Sequence, residues 1–158
     1  MNVFLVGPMG SGKSAVGRQL AQRLNLEFID SDAEIQARTG VDIAYIFERE
    51  GEEGFRSREA EVIDALSRRD RVLVSTGGGA ILDAGTRERL RTRGRVVYLR
   101  TSVDQQLART RRSNDRPLLN NDDPRGTLER LFEQRAPLYT EVAEIVVDIP
   151  PLRLRKGD

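Results

Sequence analysis

Apolar residues in this chain fall into two kinds of pattern. Short, largely apolar blocks at Val3-Phe4-Leu5-Val6, Leu26-Glu27-Phe28-Ile29, Val72-Leu73-Val74, Val96-Val97-Tyr98-Leu99 and Ile145-Val146-Val147 predict five strands. Between them apolar residues recur at helical spacing. Val16, Leu20 and Leu24 stand at i, i+4 and i+8, and Val62, Ile63 and Leu66 form one face. Helix is expected over about 31–69, broken near Gly40 and again near Gly51, then over about 83–91, from about Val103 and from about Arg125. A polar segment fills about 112–124. Apolar strands alternating with helices predict an α/β fold with a parallel sheet covered on both faces. No repeat or linker interrupts the pattern, so residues 1–158 are expected to form one domain.

Ligands of such sheets bind at the carboxyl ends of the strands, which directs attention to residues 7–14, 30–32 and 75–79. The first of these, Gly7-Pro8-Met9-Gly10-Ser11-Gly12-Lys13-Ser14, fits G-x-x-x-x-G-K-[ST] at every fixed position. It follows a predicted strand and precedes an amphipathic helix, the setting in which successive N–H groups and a helix N-terminus converge on phosphate. Gly10, Ser11, Gly12, Lys13, Ser14 and Ala15 are candidates for ATP binding. Lys13 would reach the β- and γ-phosphates, and the Ser14 hydroxyl would ligate Mg²⁺.

The other two positions are less decisive alone. The third strand ends in Ser75-Thr76 and offers no acid for the metal. The second ends in Asp30-Ser31-Asp32, whose carboxylates would share one side if the strand conformation continues. One could serve the metal through water and the other a second substrate; Ser31 or Asp32 could equally cap the next helix. Gly77-Gly78-Gly79 removes three side chains where a ligand could approach backbone, or simply forms a turn.

Composition narrows the chemistry. With no His and no Cys, imidazole bases, disulfides and Cys/His zinc sites are all excluded. Net charge is +1, which gives no overall field for nucleic acid or anionic lipid, and no apolar run approaches a membrane span. Met1–Val6 has no basic leader region, so a cytoplasmic protein is expected. Of 26 basic residues only Lys13 and Lys156 are lysine. Any single arginine is therefore a surface residue by default. Arg56 cannot be chosen on spacing, Arg58 should point elsewhere, and Arg116 in the polar segment could serve a mobile lid.

Taken in order, Gly-Pro-Met-Gly-Ser-Gly-Lys-Ser, Phe-Ile-Asp-Ser-Asp, Phe-Arg-Ser-Arg-Glu, Ser-Thr-Gly-Gly-Gly, Arg-Pro-Leu-Leu and Gln-Arg-Ala-Pro-Leu-Tyr resemble the shikimate kinases from about Val3 to Val147. The resemblance implies a three-layer P-loop fold like that of nucleoside monophosphate kinases, with strand order 2-3-1-4-5. It implies phosphorylation of the 3-hydroxyl of shikimate by ATP, with Mg²⁺ as cofactor. The helical region about 31–60 would bind shikimate and about 112–124 would form the lid. Asp30 would stand in the metal's water shell. Asp32 would hold the shikimate hydroxyls, and Arg56, Arg135 and the backbone of Gly77–Gly79 would hold the carboxylate. Phe47 and Phe55 would wall the pocket, Arg116 would be the lid arginine and Arg109 would stack on adenine. Lys13, Asp32 and Arg116 are the catalytic candidates. A monomer without nucleic-acid or membrane partners is expected. The rival expectations are a kinase of gluconate or a nucleoside monophosphate, and a non-catalytic nucleotide-binding module.

Overall fold

The computed structural model describes residues 1–110 and 123–149. Its elements run β1 (Val3–Val6), α1 (Lys13–Leu24), β2 (Glu27–Asp30), α2 (Ser31–Thr39), α3 (Ile43–Ser67), β3 (Val72–Ser75), a short 3₁₀ turn (Ala80–Leu82), α4 (Ala84–Arg93), β4 (Arg95–Arg100), α5 (Val103–Thr110), α6 (Pro124–Val142) and β5 (Ile145–Asp148). The five strands form one parallel sheet in the order β2-β3-β1-β4-β5. Fold class and strand order are those expected.

β1 is central because it can be buried on both faces. Phe4 and Val6 face a large core shared with α3, α4 and the 3₁₀ turn, while Val3 and Leu5 face a smaller one under α1. Alternation across the strand thus feeds two helical layers, the reason the run carries no polar residue. At its start, buried Asn2 replaces missing backbone partners: Nδ2 donates to Ser67 O and Arg69 O at 3.4 and 2.7 Å, and Oδ1 accepts from Val72 N at 3.1 Å. The sheet's shared carboxyl end places the loop after β1, the end of β2 and the loop after β3 side by side.

At Gly51 the backbone leaves helical geometry, with φ 73° and ψ −179°, so α3 is two helical halves that meet at a kink where the break is expected. Gly40, with φ 75°, ends α2 as expected. Two expectations are corrected at β2. The cap of α2 is Asp30, whose Oδ1 accepts from Ala33 N at 3.1 Å, and neither Ser31 nor Asp32. Asp32 therefore lies in the first helical turn, so strand alternation does not relate it to Asp30. Of the expected lid only Asp123 and Pro124 are described, as cap and first residue of α6. Arg116 lies outside the described residues. Among those described, no helix is long and apolar enough to cross a membrane.

Candidate active site

A cleft of about 300 Å³ opens at the carboxyl end of the sheet, lined by residues 9–15 of the loop after β1, by Asp30 and Asp32, by residues 75–78 and by Arg109. Gly12 has φ 84°, a conformation that L side chains rarely adopt, which lets the loop turn directly into α1. A β-carbon there would also fall 2.6 Å from Arg109 Nη1, so the Arg109 guanidinium lies across the loop. Lys13 spans the loop from within, its Nζ donating to the carbonyls of Gly7 and Pro8 at 2.7 and 2.8 Å. Gln106 of α5 ties the loop to the next layer, donating from Nε2 to Met9 O at 2.9 Å.

Ser14 Oγ donates to Asp30 Oδ2 at 3.1 Å. The hydroxyl at the loop's end and the carboxylate at β2's end thus meet, although 16 residues separate them. Both are hard oxygen donors, and among the described residues no three acidic groups gather to hold a metal alone. That set suits Mg²⁺, which keeps most of its water and takes one or two protein oxygens beside phosphate.

Opposite the loop, each glycine of the triplet receives a different charged group. A β-carbon at Gly77 would fall 2.7 Å from Glu59 Oε2 and 2.9 Å from Asp32 Oδ1. One at Gly78 would meet Arg135 Nη1 at 3.4 Å, and one at Gly79 would meet Arg56 Nη1 at 2.7 Å. The bare backbone is therefore what admits two guanidiniums and two carboxylates to one place. Ser31 Oγ accepts from Gly77 N at 3.2 Å, and the Tyr139 hydroxyl donates to Gly78 O, so α2 and α6 both pin the triplet. Tyr139 is buried against Tyr98, with ring centroids 5.0 Å apart, and burial raises the pKa of its hydroxyl.

The charges of this cluster are buried to different degrees. Arg135 is only 3% exposed, and burial lowers its pKa from the usual arginine value. Arg56 donates from Nη1 to Glu59 Oε1 at 2.9 Å and approaches the more exposed Glu52 at 3.5 Å. Glu59 is 2% exposed, and its Oε2 is buried without a hydrogen-bond partner among the described residues. Burial pushes its carboxyl up to about 7, Arg56 opposes that rise, and neighbouring Asp32 adds to it. Glu59 is given no role by the sequence reading, although it closes the motif Phe-Arg-Ser-Arg-Glu and stands three residues after Arg56, the spacing at which helical side chains meet.

The expected residues thus divide into two groups. The loop residues, Asp30, Asp32, Gly77, Gly78 and Arg109 line the cleft itself. Arg56, Arg135 and Gly79 lie beyond that lining, against the rest of the triplet. Phe47 and Phe55 stack across the α3 kink with centroids 4.9 Å apart, Phe55 belonging to the large core and Phe47 packing on it. Arg58 points away, to Glu50, as expected.

The family model described as shikimate kinase matches residues 9–151. The chain belongs to the shikimate kinase family. A shikimate kinase of Shewanella amazonensis is 57% identical over 146 residues, covering 92% of this chain and 85% of that protein. The shikimate kinase of Acinetobacter baumannii, solved in complex with shikimate, is 50% identical with a TM-score of 0.94, covering 96% of this chain and 84% of that one. A gluconokinase of Sinorhizobium meliloti shares the fold alone, at 20% identity and TM-score 0.56, with 96% and 83% coverage. The shikimate kinase resemblance read from the sequence is therefore borne out, and with it the assignment to the P-loop kinases.

Proposed function

We propose that this chain transfers the γ-phosphoryl group of ATP to the 3-hydroxyl of shikimate, giving shikimate 3-phosphate and ADP on the route to chorismate and the aromatic amino acids. The observation that carries the reading is the meeting of Asp32, Arg56 and Arg135 on the bare backbone of residues 77–79, beside a phosphate-binding loop. Shikimate has one carboxylate and three ring hydroxyls. Two guanidiniums suit the carboxylate, Asp32 accepts from a hydroxyl, and the glycines leave room for the ring.

The loop amides and Lys13 hold the triphosphate, and Ser14 with Asp30 would hold Mg²⁺. Mg²⁺, when bound, offsets charge on the β- and γ-phosphates. Asp32 orients the 3-hydroxyl and receives its proton as the oxygen bonds to the γ-phosphorus and the bond to the β–γ bridging oxygen breaks. Arg56 and Arg135 bind a group remote from the reacting atoms, so their binding energy supplies position. Arg109 takes the adenine side and Arg116 the transferring phosphoryl. We read the enzyme as a cytoplasmic monomer.

The test is ADP release from MgATP with shikimate, beside gluconate, AMP and no acceptor. Turnover with shikimate alone is expected. Turnover with gluconate or AMP alone would leave the phosphate loop in place and discard the assignment of the carboxylate pocket. ATP binding without any turnover would favour a non-catalytic module.

A further inference from the structure

The kink at Gly51 creates a mechanical problem for the acceptor pocket. Arg56 and Glu59 stand in the second half of α3, which Phe55, Val62, Ile63 and Leu66 anchor in the large core, whereas the first half reaches that core through Ile43, Ile46 and Phe47. At Gly51 the backbone is not helical, so the hydrogen-bond ladder that would hold the halves rigid is interrupted there.

Beside the Phe47–Phe55 ring contact, a charged side-chain pair also spans the break. Arg58 Nε donates to Glu50 Oε1 at 2.6 Å and Arg58 Nη2 donates to Glu50 Oε2 at 2.7 Å, a two-pronged pair across eight residues. Single exposed ion pairs contribute little, but a bidentate one fixes direction as well as distance. Gly54 makes room for it: a β-carbon there would fall 3.3 Å from Glu50 Oε1 and 3.5 Å from Cγ. Arg58 follows Arg56 by two positions and so projects from the other side of the helix. The pair lines a separate cleft of about 380 Å³ between α2 and α3, whose floor is apolar (Ile35, Val41, Ile46 and Val62). It does not line the cleft of the phosphate loop.

We infer that the Glu50–Arg58 pair is a strut that sets the angle of the α3 kink and thereby holds the first half of the helix, with Phe47, in position beside Arg56 as a wall of the acceptor pocket. Both are positioning residues, since neither lies at the catalytic cleft. The inference rests on the proposed acceptor reading for its kinetic consequence but not for its mechanical one. With the strut cut, the first half of α3 swings about Gly51 and carries Phe47 off its place beside Phe55, so acceptor binding weakens while the phosphate loop is untouched.

The experiment compares wild type, Arg58→Ala, Glu50→Ala and the charge-exchanged double variant Glu50→Arg/Arg58→Glu. Each single variant should raise the KM for shikimate roughly five- to tenfold, with kcat and the KM for ATP within about twofold, and the exchanged pair should recover most of the loss. Amide hydrogen exchange at residues 43–50, measured without substrate, should rise in the single variants and return in the exchanged one. Unchanged shikimate KM with unchanged exchange would overturn the strut. So would a parallel loss of both KM values and kcat, or failure of the exchanged pair to recover either readout. If wild type turned over a different acceptor, the functional reading would fall, while the exchange data would still decide whether the strut exists.

Discussion

Glu59 should make the stability of this protein depend on pH in a recognisable way. Its carboxyl is pushed from an ordinary value of 4.5 up to about 7, chiefly by burial. Between those values the native protein keeps a proton that the unfolded chain has released, so stability falls as pH rises. The contribution is fully present below about pH 4.5 and is lost by the time pH has passed about 7. At about 1.4 kcal/mol per unit, the span amounts to about 3 kcal/mol. Glu59→Gln keeps the shape and the acceptor for Arg56 but carries no titrating proton. Other carboxylates are common to both proteins and cancel in the difference. Urea unfolding of both proteins at intervals from pH 4.5 to 8.5 should show the variant gaining about 3 kcal/mol on wild type over that range. Curves that stay parallel would refute the reasoning and mean that Glu59 is ionised in the fold throughout.

Three further outcomes follow from the site and its frame. Arg56→Ala should raise the KM for shikimate more than tenfold, and Asp32→Asn should lower kcat by at least a hundredfold with ATP affinity kept; wild-type kinetics in either would remove that residue from its role. Gly79→Ala should displace the Arg56 guanidinium, since the new β-carbon falls 2.7 Å from Nη1 at an ordinary φ of −101°. A raised shikimate KM with an unshifted melting temperature is expected, and the reverse pattern would show that the glycine serves the backbone. Asn2→Ala should cost about 2 kcal/mol in chemical denaturation, because it strands the buried Val72 N–H and two carbonyls; a near-neutral result would mean that water replaces the side chain.

Much of the frame was legible because its signals are local. Each strand block was found within one residue: β1 and β3 are buried throughout and so almost wholly apolar, while the edge strand β5 is an apolar run although its residues are exposed. The phosphate loop was legible because its glycines, lysine and serine stand in fixed register between a strand and a helix. The cap at Asp30 was not, because Asp30, Ser31 and Asp32 all carry a suitable oxygen and only the exact end of β2 decides among them. Arg56 could be singled out only by resemblance, because the Gly79 backbone it packs against lies more than twenty residues on. Glu59 was missed for the same reason: its burial depends on Gly77 having no side chain. Tyr139 was quoted within a motif, yet its hydrogen bond to Gly78 O joins elements that are far apart in the chain.

The strand order has a consequence for how the chain acquires its structure. β1 is the first element in the sequence, but its ladder partners are residues 73–75 of β3 and 95–98 of β4. A chain growing from its N-terminus therefore carries Phe4, Leu5 and Val6 without either of these partners until β3 follows, its register partners 70 residues on. Such sequence-distant pairing makes folding slow, and meanwhile the most apolar segment stays exposed to other chains. Since the phosphate loop hangs from the end of β1, nucleotide-binding competence should be among the last properties to emerge during refolding. Conditions that trap intermediates should yield material with native-like helix content but no affinity for ATP.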